Sequence, residues 1–345
     1  MAAVMAIANV SKKVRLPPLP TPAELLRLYR LKALKQMSQN FLLDPRICRK
    51  LIRSAGNLHK AHVIEVGPGP GNLTRPILEL GATCSVIEKD LRFMPCLDLL
   101  AEAAEGRLKV IHGDVLTYPI HSEIPPELAR PWESEKPPRI HLIGNLPFAI
   151  STVLLVKWLK EISERSGPWQ FGRVRMTLTF QKEVSTRITL GDIDMEKCRL
   201  SIISQGYCEV EECFTIVGGS FVPPPLVDVG VVKLVPRVKP VFNQDFSLVE
   251  KVLRCMFNAK RKTVEQNLPK LFPQPLLDDI KHDVLEKAEL DPKEQTLMLT
   301  TQEFSRLCDV YAEYCEKVAG LYEYNYRGPR KTRDWSPAED VRDIV

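Results

Sequence analysis

Apolar residues fall along this chain at two different periods. Between residues 60 and 180, short apolar runs alternate with segments whose apolar positions recur at helical spacing. That alternation marks a mainly parallel α/β sheet. It predicts strands at 62–67, 83–87, 108–111, 140–143 and 174–180, and two later apolar runs, 210–217 and 227–235, can close the sheet at seven strands. A helix is predicted directly after the first strand, over 73–80. The proline-rich stretch 119–138 predicts an exposed loop. Residues 237–245 contain Pro240 and lose clear periodicity, which places a domain boundary there. Beyond it, 246–322 reads as helical, with Leu248, Val252, Leu253, Met256 and Phe257 at helix spacing. Near the start, Thr21-Pro22-Ala23-Glu24 is a capping box with proline at the first helical position. It predicts an amphipathic helix carrying Leu25, Leu28, Tyr29 and Leu31. The expected architecture is α/β: a Rossmann-like seven-stranded sheet followed by a small α-helical C-terminal domain.

The first strand ends in Gly67-Pro68-Gly69-Pro70-Gly71, and a helix follows at once. Such a turn exposes backbone N–H groups where a nucleotide-like ligand can approach without meeting a Cβ. The spacing is G-x-G-x-G and not the dinucleotide G-x-G-x-x-G. In an open α/β sheet, ligands bind beyond the carboxyl ends of the strands. Here the next three strands end in Glu88-Lys89-Asp90, Asp114-Val115 and Gly144-Asn145-Leu146-Pro147-Phe148. Taken singly, Glu88 or Asp114 reads more readily as a solvated loop acid or a helix cap; the pattern at one edge is what points to a ligand. In a methyltransferase reading, Glu88 would accept from the ribose hydroxyls of S-adenosylmethionine. Asp114 would accept from the adenine amine, and the Val115 N–H would donate to a ring nitrogen.

A nicotinamide-dependent enzyme would carry its ribose acid at the same place. Asn-Leu-Pro-Phe after the fourth strand decides between the two, because it suits methylation of an exocyclic amine. The nitrogen lone pair of such an amine is delocalised into the ring. The Asn145 side-chain oxygen and the Leu146 carbonyl can accept its two hydrogens and free that lone pair. Pro147 fixes φ, and Phe148 can stack on a base taken out of its helix. No metal is called for. Rate enhancement would come from positioning and oriented acceptors.

Composition changes this picture little. The 345 residues carry a net charge of +5, which permits an anionic partner such as RNA without demanding one. Nine cysteines without a C-x-x-C pair argue against structural zinc and a disulfide framework, and for reduced thiols. No apolar run approaches the ~20 residues of a membrane-spanning helix. The N-terminus is more informative. Residues 1–43 hold one acid, Glu24, against seven basic residues, the composition of an organelle transit peptide or of a basic RNA-binding arm.

With these residues in view, the chain resembles the ribosomal RNA adenine N6,N6-dimethyltransferase family from about Gln39 to Leu268. The resemblance is carried by Gln39-Asn40-Phe41-Leu42, the glycine loop Glu65–Thr74, Phe180-Gln181-Lys182-Glu183-Val184, Phe221-Val222-Pro223-Pro224-Pro225 with Val227-Asp228, and Lys260-Arg261-Lys262-Thr263 with Asn267-Leu268. Arg15–Thr21, Phe148 and Asp228–Val232 are most similar to a mitochondrial branch of that family.

The resemblance implies dimethylation of two adjacent adenines in a 3′-terminal hairpin loop of mitochondrial small-subunit (12S-type) rRNA, in support of ribosome assembly. It implies S-adenosylmethionine as cofactor, held by Gln39, Asn40, Leu42, Gly67, Gly69, Glu88, Lys89, Asp114, Val115 and Asn145. Asn145 to Phe148 would be the catalytic element. Phe148, Phe180, Phe221 and the basic run Lys260, Arg261 and Lys262 would meet the RNA. Taken alone each phenylalanine reads as core, and only the motif context lifts it; the basic run reads equally as a solvated face.

The expected division is 1–20 as a mitochondrial transit segment, 21–236 as the methyltransferase domain, 237–325 as a helical rRNA-binding domain and 326–345 as a disordered tail. A monomer in the mitochondrial matrix, without membrane insertion, is expected. Two departures stand out. Phe148 replaces the more usual tyrosine, and Leu190–Lys197 is acidic where an RNA-facing loop would be basic. Two rivals remain. One is a non-catalytic or dual-role factor on the same fold, partnered with the mitochondrial transcription or ribosome-assembly machinery. The other is a DNA adenine methyltransferase, which adds one methyl and not two.

Overall fold

The computed structural model describes residues 16–191 and 194–328. Most of the transit segment, most of the C-terminal tail, and Asp192 and Ile193 of the acidic loop lie outside the described residues. Two compact units divide the chain. Of the described residues, the first unit runs to Glu161 and takes up Arg165–Ser185 and Glu211–Val238. The second holds Ile162–Glu164, Thr186–Val210 and the chain from Lys239 onward. A single cut at 237 therefore misses Thr186–Val210, whose apolar side chains pack with residues far ahead in sequence: Tyr207 meets the rings of Phe242 and Phe246 at centroid distances of 5.7 and 5.6 Å.

Nine strands are present among the described residues: β1 Phe41–Leu42, β2 His62–Val66, β3 Thr83–Glu88, β4 Leu108–His112, β5 Ile140–Gly144, β6 Arg175–Gln181, β7 Cys208–Ile216, β8 Phe221–Val222 and β9 Val229–Pro236. The helices of the first half are α1 Pro22–Leu28, α2 Pro45–Ser54, α3 Thr74–Glu79, α4 Met94–Ala103, α5 Phe148–Ser163 and α6 Lys182–Thr189. Seven strands form one sheet in the order β4-β3-β2-β5-β6-β9-β7, and β1 pairs with β8 apart from it. The pairs β2/β3, β3/β4, β2/β5 and β5/β6 are parallel, whereas β9 runs antiparallel to β6. From β2 the chain winds outward through β3 and β4, then crosses back to β5. The β2/β5 boundary is thus the switch point where such sheets open a ligand crevice.

All seven predicted strands form, each within about two residues of its expected ends. The reason is burial. Every residue of β2 and β5 is buried, and a strand covered on both faces reads as an unbroken apolar run. Two local expectations need correction. The proline-rich 119–138 segment is not simply exposed: Ile120, Ile124 and Trp132 are buried. Trp132 donates through Nε1 to the Val238 carbonyl (2.9 Å), and the buried Arg173 guanidinium donates to the carbonyls of Trp132, Ser134 and Pro236. The Thr21–Glu24 capping box forms as expected on α1, but Leu25 and Leu26 face inward, while Leu28 and Tyr29 are exposed. With only seven residues, α1 makes two turns, so a single adjacent pair suffices to seat it.

The second unit continues with α7 Arg199–Tyr207, α8 Phe246–Met256, α9 Val264–Asn267, α10 Gln274–Lys287 and α11 Thr301–Lys317. Its core includes Phe272 edge-on to Tyr311 at 5.3 Å, and the Tyr311 hydroxyl donates to the Leu321 carbonyl at 3.0 Å.

Candidate active site

The carboxyl ends of four neighbouring strands converge on one cavity of about 450 Å³, wholly within the first unit. Its placement follows from register. Val66 pairs with Ile87 and with Gly144, and Glu88 pairs with His112. The residues that follow therefore share one rim: Gly67, Lys89, Gly113-Asp114 and Asn145. Gly67 and Asn145 each lie one step beyond a directly paired couple, on strands that pack about 4.8 Å apart. Gly144 makes this approach possible, since a Cβ there would lie 3.0 Å from the Val66 carbonyl oxygen and 2.9 Å from the Leu146 side chain.

Gly67 has φ +66°, a left-handed conformation that favours glycine, and a Cβ built on it would meet no protein atom within 4 Å. Space next to it opens into the cavity that Gly67 lines. Behind the turn, the Gly69 N–H donates to Glu88 Oε2 (2.9 Å) and the Asp90 N–H to Glu88 Oε1 (2.8 Å). Both carboxylate oxygens are thus aimed by the backbone, and each keeps acceptor capacity toward the cavity. Burial raises the Glu88 pKa above the ordinary carboxylate range.

Asp114 behaves in the opposite way. Its Oδ2 pairs with Lys89 Nζ at 2.8 Å and its Oδ1 accepts from the Leu116 N–H at 3.0 Å, and the ammonium holds its pKa low. Glu65, inside β2 and fully buried, accepts from the Thr74 hydroxyl at 2.6 Å, and burial pushes it up to about 8. Burial thus favours its neutral form where it lines the cavity.

The Asn145 amide is clamped at both ends. Nδ2 donates to the Asn40 carbonyl (3.0 Å), and Oδ1 accepts from the Thr179 hydroxyl (3.0 Å). Leu146 and Pro147 follow, and α5 starts by using the Pro147 carbonyl for the N–H groups of Ile150 and Ser151. The Leu146 carbonyl lies one residue ahead of that first turn. Phe148 opens α5, half-buried, and lines the cavity.

Of the expected site residues, Gln39, Asn40, Leu42, Gly67, Gly69, Glu88, Lys89, Asp114, Val115, Asn145, Leu146, Pro147, Phe148 and Phe221 all line this one cavity. Phe180 does not. It is fully buried within β6, so its ring is core and has no face to offer a base. Phe221 reaches the cavity from β8, where it pairs with Leu42. Gln39 lines the wall, but its amide is taken up by the protein. Nε2 donates to Asp90 Oδ2 (2.8 Å), and Oε1 accepts from the Leu34 N–H (2.9 Å). It holds the 34–40 segment in place.

The basic run belongs to the second unit and splits. Lys260 Nζ donates to the Lys197 and Met195 carbonyls (3.0 and 3.4 Å), bracing the acidic loop, while Arg261 and Lys262 are exposed. Asn267 shapes this turn, donating to the Ala259 carbonyl (3.1 Å) and the Thr296 hydroxyl (2.7 Å).

Sequence reasoning missed three contributors. Phe41 and Phe93 pack edge-on at 5.4 Å and line the cavity, and Thr179 holds the amide. Phe41 sits inside the Gln-Asn-Phe-Leu motif, which was a usable signal. Thr179 is one β-branched residue in a strand and gave none.

A family model described as ribosomal RNA adenine dimethylase matches residues 30–306. The chain is 48% identical over 324 residues to the Xenopus laevis mitochondrial dimethyladenosine transferase 1, covering 94% of each. It is 46% identical over 340 residues to the Homo sapiens protein of the same name, covering 98% of each. Among solved structures it resembles a Plasmodium falciparum dimethyladenosine transferase (TM-score 0.61, 24% identity, 78% of this chain and 96% of that one). It also resembles the 23S rRNA methyltransferase ErmE (TM-score 0.55, 21% identity, 79% of this chain and 100% of that one). At these identities the two structures speak to the fold alone, and it is the same Rossmann-like fold.

Proposed function

The chain belongs to the ribosomal RNA adenine dimethylase family and is a methyltransferase, and from that premise we propose that it uses S-adenosylmethionine to dimethylate N6 of two adjacent adenines in a 3′-terminal hairpin loop of mitochondrial small-subunit rRNA. The observation that carries this reading is the shared rim: an oriented amide oxygen stands beside a glycine turn with Gly67 at φ +66° and open space where its Cβ would be.

The residues present fit the cofactor. Glu88 offers two aimed acceptors for ribose hydroxyls, and Asp114, held ionised by Lys89, offers an acceptor for the adenine amine. When bound, S-adenosylmethionine supplies an electrophilic sulfonium methyl. Asn145 Oδ1 and the Leu146 carbonyl accept the hydrogens of the target amine and localise its lone pair on nitrogen. Phe148 stacks on the extruded base, and Phe221 bounds the same space. Action in mitochondria rests on the names of the relatives and on the acid-poor N-terminus. The monomeric state, the matrix location and a second role with the transcription machinery belong to the same proposal.

Incubation of the protein with S-adenosylmethionine and a small-subunit rRNA fragment is expected to add two methyls to each of two adjacent adenines, read by mass spectrometry and primer-extension arrest. A single methyl per base, or equal methylation of DNA, would overturn the reading in favour of a DNA-type enzyme.

Arg261 and Lys262 are the cations of the basic run free to meet phosphate. Replacing both with glutamine is expected to weaken RNA binding and to reduce the salt slope by about 0.7–0.9 for each phosphate that is no longer neutralised. Affinity for S-adenosylhomocysteine should not change. An unaltered salt slope would remove these two residues from the RNA-binding surface.

A further inference from the structure

We infer that Thr179 is a positioning residue for methyl transfer: its one hydroxyl holds both the Asn145 amide oxygen and the Leu146 backbone in line for the target amine. The inference rests on the reading of Asn145 as hydrogen acceptor and adds to it the group that enforces it. Thr179 lies on β6 and is fully buried. Parallel pairing of Gly144 with Leu178 brings the residue after each strand position, Asn145 and Thr179, side by side.

The hydrogen-bond logic permits one arrangement. Thr179 Oγ1 accepts from the Leu146 N–H at 3.1 Å. A hydroxyl has a single hydrogen, and Thr179 donates it to Asn145 Oδ1, 3.0 Å away. On the other side, the Asn40 carbonyl can only accept, so the atom 3.0 Å from it must be the amide nitrogen. The Asn40 carbonyl thus assigns the orientation, and Thr179, far from it in sequence, ties down the oxygen on the other side. Asn145 Oδ1 keeps one lone pair for the substrate. A flipped amide would present N–H groups to an amine that itself needs acceptors.

The same hydroxyl also ties the backbone of Leu146, whose carbonyl is the second acceptor. One side chain therefore aligns both. Two rounds of transfer make this alignment matter twice. After the first methyl the amine has one hydrogen left, and it must find an acceptor that has not moved. Loss of the hydroxyl should slow the second transfer more than the first.

Thr179→Ser and Thr179→Ala test this as a pair, because both remove the buried methyl and only serine keeps the oxygen. Serine is expected to retain near-normal kcat and the dimethyl product. Alanine is expected to lose about tenfold in kcat, the value of one oriented hydrogen bond. It should also accumulate monomethyladenine, with unchanged affinity for S-adenosylhomocysteine and RNA. Thr179→Val, isosteric without the hydroxyl, should match alanine if it folds. Equal kcat and product ratio in the serine and alanine variants would overturn the inference. Asn145→Ala, run alongside, separates the two levels: if it stays active, the reading of Asn145 fails. If it is inactive while serine and alanine behave alike, only the role of Thr179 fails.

Discussion

Asn145→Ala is expected to lower kcat for methyl transfer by about 10³-fold, in the range found when one oriented group is removed from a transition-state site. Cofactor affinity should fall by no more than severalfold. The two effects differ because the amide does two things. Its oxygen meets the reacting amine, and its nitrogen donates to the Asn40 carbonyl at 3.0 Å. Removing that second hydrogen bond loosens one wall of the cavity by the worth of a single neutral pair, about 1 kcal/mol. Gln39 still ties the same segment to Asp90 and Leu34, so the wall stays. Asn145→Asp is the sharper control. It keeps an acceptor toward the amine but sets a carboxylate oxygen against the Asn40 carbonyl. Isothermal titration with S-adenosylhomocysteine, beside single-turnover methyl transfer, measures both effects. Full activity in Asn145→Ala would remove Asn145 from the chemistry, and full activity in Asn145→Asp would show that the bond to the Asn40 carbonyl is not needed.

What the sequence revealed, and what it hid, follows from the range of the interactions. The central strands β2 and β5 were legible because each buries both faces, so burial is written into consecutive residues. The glycine turn and the strand-end acids were legible because the backbone geometry of Gly67 and the rim position of Glu88 are local consequences of where a strand stops. Thr179, Gln39 and Lys260 were not legible in their roles. Each acts through a partner brought near only by folding: Asn145 for Thr179, Asp90 for Gln39, Lys197 for Lys260. Phe180 was misassigned for a related reason. Motif proximity placed it near the base, but β6 is covered on both faces, so Phe180 is core. In the same way the proline-rich segment looked exposed until Arg173 gathered its carbonyls.

Gly67→Ala should lower cofactor affinity out of proportion to stability, and the reason lies in what the new methyl would touch. A side chain at φ +66° costs about 1–2 kcal/mol for the left-handed conformation. That is a fall of a few degrees in Tm for a domain of this size. No protein atom lies within 4 Å of the added Cβ, so packing adds no further penalty. The methyl instead occupies the cavity where the glycine turn lets a ligand reach the backbone, and binding of S-adenosylmethionine should weaken by about tenfold or more. Gly71→Ala supplies the contrast. Its φ is +86°, but its Cβ would press on Leu100 at 3.0 Å, inside the core. It should therefore lower Tm more than Gly67→Ala and spare affinity in the folded fraction. Thermal melts and calorimetric titration of the two variants separate strain from obstruction. If Gly67→Ala binds the cofactor like the wild type, the ligand does not approach that turn, and the cavity must be filled from the Glu88 and Asp114 side alone.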